Sequence, residues 1–99
     1  MRDDDLPAAL SPTVTVVLPR ALLNLFPDST QEVKVSASTV GEMIAGLDHR
    51  WPGMRDRLCD STPRIRRHLN VFVEGRRAGL DTRLPEGARV FVLTAMSGG

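Results

Sequence analysis

The chain has 99 residues, with 13 Lys and Arg against 12 Asp and Glu and a formal net charge of +1. That length supports one domain with a single modest core, and the near-balanced charge makes no case for a nucleic-acid or membrane partner. Cys59 is the only cysteine, so no internal disulfide forms, and no apolar run reaches secretory or membrane-spanning length; a reducing, cytoplasmic setting is expected.

Residues 1–12 hold acidic residues and prolines without a sustained period and are expected to be a flexible leader. From residue 13 the pattern alternates: Val14, Val16 and Leu18 share one side, Thr13, Thr15 and Val17 the other, which predicts a strand closed by Pro19. Leu22, Leu23, Leu25 and Phe26 read as a loop ended by the Pro27-Asp28-Ser29 turn. Residues 31–36 alternate again with Val33 and Val35 inward, so the two strands are expected to pair as a hairpin with a long connection.

Thr39 followed three residues later by Glu42 is a capping box. Val40, Met43, Ile44, Leu47 and Trp51 then recur at helical spacing, and Pro52 ends the helix. Met54 and Leu58 predict a short second helical turn, and residues 62–68 a polar, basic surface connection. Residues 69–73 read as a third strand, 76–80 as at most a short fourth, and 88–93 as the last. Val90, Phe91, Val92 and Leu93 are apolar on both sides, which places that strand centrally. The expected fold class is α+β, a β-grasp in which a mixed sheet of four to five strands wraps one main helix. Its body spans residues 13–93, followed by a flexible tail at 94–99. The expected core comprises Val14, Val16, Leu18, Val33, Val35, Val40, Met43, Ile44, Leu47, Leu69, Val71, Val73, Val90 and Val92.

The tail ends in Met96-Ser97-Gly98-Gly99. A terminal glycine pair adds nothing to packing and is costly to hold in one shape. Without Cβ atoms it passes a narrow channel, and its carboxylate is approachable from either side. The plain alternative is a frayed end without function.

On these residues the chain resembles the ThiS/MoaD family of ubiquitin-like sulfur carriers across residues 13–99. The resemblance rests on the helix at 39–51 followed by Pro52-Gly53-Met54-Arg55-Asp56-Arg57-Leu58, on Leu69-Asn70-Val71-Phe72-Val73-Glu74-Gly75, on the Pro85-Glu86-Gly87 turn and on Gly98-Gly99. Its length and the 69–75 segment are similar to the MoaD side of the family and to the carrier of the protease-linked cysteine pathway; thiamin-type carriers are usually shorter, without the 52–67 insertion. Two departures stand out: Thr94-Ala95-Met96 replaces a stretch that often holds proline, and Ala88 follows the turn glycine where an acidic residue is common.

The resemblance implies a chemistry. An ATP-dependent, ubiquitin-activating-type adenylyltransferase would adenylate Gly99. A persulfide or sulfide would then displace AMP and leave a Gly99 thiocarboxylate, which donates sulfur to a biosynthetic enzyme. The carrier would bind no cofactor, since ATP and the sulfur source belong to the activating partner. A sulfur-accepting enzyme, and in the cysteine pathway a metalloprotease, would be further partners. Gly98, Ser97 and Met96 would thread into the partner's active site. The six residues from Thr94 to Gly99 reach about 20 Å when extended.

Other readings stay open. Gly99 conjugated to target lysines would make the chain a protein modifier, although the single Lys34 disfavours branched self-chains. A small subunit of molybdopterin synthase and a β-grasp interaction domain with idle glycines are the other two. No catalytic or metal residues are expected in the body. Cys59 beside Leu58 reads as a packed thiol, His49 and His68 lack ligand spacing, and Arg64, Arg66 and Arg67 read as a solvated connection.

Overall fold

In the computed structural model, which describes residues 11–62 and 64–94, the period-two alternation of the first apolar run becomes strand β1 (Thr13–Val17). Val14 and Val16 face inward, as does Leu18 just beyond. Strand β2 (Glu32–Ser36) pairs with it antiparallel, Val16 opposite Val33 and Val14 opposite Val35. Their connection, read from sequence as a loop, contains a short helix α1 (Arg20–Leu25). Pro19 caps it in an extended conformation with no side-chain hydrogen bond, and Leu22 is its one buried residue. Six residues with a single inward side chain give no visible helical period, which is why the pattern concealed it.

The capping box is realised, with one shift. Thr39 Oγ1 accepts the Glu42 amide at 3.2 Å, while the Glu42 carboxylate accepts from the amide of Ser38 rather than of Thr39. The amides of Val40 and Gly41 donate to the carbonyls of Thr82 and Leu80, so the first turn of helix α2 (Val40–Arg50) is satisfied by the loop before the last strand. Its Val40, Met43, Ile44 and Leu47 are buried against the sheet. Gly46 makes close approach possible: a Cβ there would meet Val35 Cγ1 at 2.9 Å. Helix α3 (Met54–Leu58) follows at once.

Strand β3 (Leu69–Val73) turns into β4 (Arg76–Ala78) through Glu74 and Gly75, at φ 52° and 83°. Two consecutive positive φ values are those of a type I′ hairpin turn. Glu74 is the only described non-glycine residue in this region; its amide donates to the Arg89 carbonyl and its carboxylate accepts from the Arg89 amide. Strand β5 (Arg89–Thr94) completes a five-stranded mixed sheet in the order β2-β1-β5-β3-β4. It runs parallel to β1, with Val16 beside Val90, and antiparallel to β3, with Val71 beside Val92.

The last strand is central, as its apolar run suggested, but only one of its faces is closed. Val90 and Val92 are fully buried, Phe91 is half-buried and Leu93 is 43% exposed. Every residue expected in the core is buried, joined by Leu22, Ala37, Trp51, Met54, Leu58, Cys59, Leu84 and Ala88. Among the described residues no polar or charged side chain is buried, so the core is uniformly apolar.

Ile44 is 1% exposed in that cluster. Ile44→Ala should cost about 2–5 kcal/mol, read as a lower denaturant midpoint with an unchanged slope; an unchanged midpoint would contradict the packing of α2 on the sheet.

Candidate functional site: the root of the carboxyl-terminal tail

Met96, Ser97, Gly98 and Gly99 lie outside the described residues. Thr94, where β5 ends, is described and is paired with Leu69 at the start of β3. Three further pieces of chain converge on this end of the sheet: the last turn of α1, helix α3 and residues 66–69.

Helix α3 is anchored by the fully buried Met54 and Leu58 and by one carboxylate. Asp48 Oδ1, near the end of α2, accepts the amides of Gly53 and Arg55, each at 3.0 Å, and so caps the next helix. The connection after α3 is more ordered than a bare surface link. Cys59 bridges to Ile65, the Asp60 amide donates to the Arg64 carbonyl, and Asp60 Oδ1 accepts from the Thr62 hydroxyl and from the amides of Thr62 and Arg64. Those bonds, led by the Thr62 hydroxyl, hold the exposed Asp60 carboxyl below its usual value. Arg66 is fixed twice over: its amide donates to the Leu58 carbonyl and its Nε to the Asp56 carbonyl at 2.9 Å.

The result is a cleft of about 570 Å³ with Thr94 on its wall. Leu22, Leu25, Phe26 and Leu69 give it apolar lining, and Arg57, Arg66 and His68 sit with Asp56 as its charged and polar part. Sequence reasoning grouped Arg64, Arg66 and Arg67; the fold instead puts Arg66 with Arg57 and with Leu25 of α1. Those residues come from separate segments, and no spacing signal joins them.

The open face of the sheet, running back from Thr94 along β5, is the second surface feature. Register sets Val17, Phe91 and Phe72 in one row across β1, β5 and β3. The Arg89 guanidinium lies 5.6 Å from the Phe91 ring centroid and pairs with Glu32 at 3.0 Å. With both side chains more than half exposed, that pair contributes about 0–1 kcal/mol.

Of the remaining reactive groups, Cys59 and His49 are not part of the cleft lining. Cys59 is buried at 7% exposure, and burial, only partly opposed by Arg55, pushes its thiol up from the ordinary value. A raised thiol pKa is the reverse of what a nucleophile needs. His49 lies in the last turn of α2 and His68 at the cleft, and among the described residues no group of three or more His, Cys, Asp and Glu could hold a metal. No described helix is long and apolar enough to cross a membrane.

The sequence profile of the ThiS family matches residues 16–99, from the middle of β1 to the terminal glycine. The chain belongs to the ThiS family. It is 32% identical over 92 residues to the sulfur carrier protein CysO of Mycobacterium tuberculosis, covering 87% of this chain and 98% of that one. A chain of the Amycolatopsis orientalis BexX/CysO complex superposes with a TM-score of 0.77 at 28% identity, over 87% of this chain and 99% of the other. SAMP1 of Haloferax volcanii matches with a TM-score of 0.73 at 22% identity, over 88% and 99%, and shares the fold. The β-grasp expectation and the resemblance drawn from the motifs therefore stand, and the chain is a sulfur carrier protein of the ThiS type. Such carriers are small cosubstrates rather than enzymes.

Burial of Cys59 predicts an alkaline effect with a definite sign. A thiol pKa raised by folding stabilises the native state fully below the unfolded value, and that contribution is lost as pH rises through the folded value. Unfolding measured from neutral pH upward should show stability falling above about pH 9, where the unfolded thiol ionises first. Cys59→Ala should flatten that part of the curve; an identical alkaline slope in the variant would contradict the assignment.

Proposed function

We propose that Gly99 is the reacting residue and that the body serves to present it. The Gly99 carboxylate attacks the α-phosphorus of ATP in the active site of an adenylyltransferase, pyrophosphate leaves, and a mixed anhydride forms. Sulfide then adds to the activated carbonyl; the new C–S bond replaces the C–O bond to AMP and leaves a thiocarboxylate. If the donor is a persulfide, a second thiol cleaves the S–S bond. The thiocarboxylate is anionic near neutral pH with a nucleophilic sulfur, so the carrier delivers sulfide in a tethered form to an acceptor enzyme in the cytoplasm.

The observation that carries this reading is the family match, which extends over residues 16–99 and so includes Gly98 and Gly99. The geometry is compatible. Beyond Thr94 the five remaining residues span at most about 17 Å, so a partner must dock against this end of the sheet to hold the carboxylate. The CysO relatives, matched over nearly their whole length, are sulfur carrier proteins, and the resemblance of residues 69–75 to the carrier of the protease-linked cysteine pathway makes cysteine or a related sulfur-containing product the proposed destination. A metalloprotease then belongs among the partners. The complex of CysO with BexX is a precedent for a carrier of this kind seated on a second protein. A molybdopterin role and a modifier role rest on neighbours that share the fold alone.

Deleting Gly98 and Gly99 tests the reading. ATP–pyrophosphate exchange with the cognate adenylyltransferase should be abolished, while the thermal melt stays within a few tenths of a kcal/mol of the full chain. Gly98→Ala should slow exchange by adding a Cβ where the channel is narrow, again without a change in melting. A truncated chain that still supports exchange would refute Gly99 as the reacting residue.

A further inference from the structure

The cleft at the tail root has a charge pattern that the proposed chemistry does not itself use. Residues 55–68 hold five arginines against two aspartates, a surplus of three on a chain whose whole net charge is +1. The rest of the chain is therefore net acidic, and the excess of positive charge is local to α3 and the connection after it. Arg57 is exposed, and neither its side chain nor that of His68 has an ion-pair or hydrogen-bond partner among the described residues. Arg66 is held by its Nε bond to the Asp56 carbonyl, so its position is fixed before any partner arrives. Asp56 is the one acid in the lining.

Beside these cations lies apolar surface that no described residue covers. Leu25 is 51% exposed, the more exposed of the two large hydrophobic residues that stand out to solvent among the described residues. It shares the cleft with the half-buried Phe26. An apolar floor with a cationic rim matches a protein segment in which an apolar side chain is flanked by carboxylates. Thr94 on the cleft wall says whose segment it is. Any enzyme that encloses Gly99 has its surface within about 17 Å of this residue.

We propose that this cleft, through Leu25, Arg57 and Arg66, is a docking site for an acidic, apolar-tipped segment of the adenylyltransferase that activates Gly99. The inference rests on the proposed function and adds a recognition surface to it. Exposed opposite charges at the rim of an interface act mainly on encounter and on affinity at low salt, rather than on the bond-making step. The cleft should therefore set the KM for the carrier and leave kcat unchanged.

The test is pyrophosphate exchange by the adenylyltransferase, measured against full-length carrier concentration at two ionic strengths. Arg57→Glu should raise KM by about tenfold, the equivalent of one reversed close contact, with kcat within about twofold. Leu25→Asp should raise KM as well, and Arg57→Lys should retain most of the wild-type value. Raising salt should increase the wild-type KM far more than that of Arg57→Glu. Arg76→Glu on β4 serves as a charge-matched control away from the cleft and should not alter KM. Melting curves confirm that each variant is folded. Unchanged KM in Arg57→Glu and Leu25→Asp would overturn the docking site, as would an equal effect from Arg76→Glu, which would mean a general charge effect. A lowered KM in Arg57→Glu would also overturn it, because the cleft would then hold the chain's own carboxyl-terminal segment. If wild-type carrier supports no exchange at all, the proposed function fails instead, so the two failures are distinct.

Discussion

The structure depends on the burial of Val90 and Val92 in the last strand. Both are fully excluded from solvent in one cluster with Ile44 and Leu47 of α2. Burying two valines is worth about 1.5–3 kcal/mol each relative to exposure, and β5 is also hydrogen-bonded on both sides, to β1 and to β3. Opening this strand locally would break two ladders and expose the centre of the core. The central strand, hydrogen-bonded on both sides, ends at Thr94, five residues before the glycine proposed to react.

Much of this was legible because the core elements follow simple periods. Alternation in β1 and β2, helical spacing in α2 and the Thr39–Glu42 capping box each agree with the tertiary packing. The residues expected inside are all inside. The α1 helix was hidden because only Leu22 turns inward over six residues, leaving nothing periodic to detect. The last strand was placed centrally by its four consecutive apolar residues, and it is central, although Leu93 on its second face is exposed. An apolar run shows that a strand is central, not what covers its second face. The cleft at the tail root was invisible for a topological reason. Leu25, Arg57, Arg66 and Thr94 are distant in sequence, and only the folded sheet end brings them together.

The division of labour between tail and body follows from chemistry. On the thiocarboxylate chemistry proposed above, the carrier needs an accessible terminal carboxylate and a reliable shape, and acid, base and metal would be supplied by the enzymes that act on it. The body's own thiol is packed away and burial pushes its pKa up, which disfavours the thiolate. What the body does present is selective surface: an open sheet face centred on Phe91 and Phe72, and the cationic cleft beside Thr94. Both adjoin the strand that leads to Gly99.

The central claim, that sulfur is carried at Gly99, is tested most directly by intact mass spectrometry of the full chain after incubation with adenylyltransferase, ATP and sulfide. Replacement of one oxygen by sulfur, mapped by fragmentation to Gly99 and absent without ATP, is the predicted result. A mass gain on Cys59, or Gly99 recovered only in isopeptide linkage to target lysines, would contradict it.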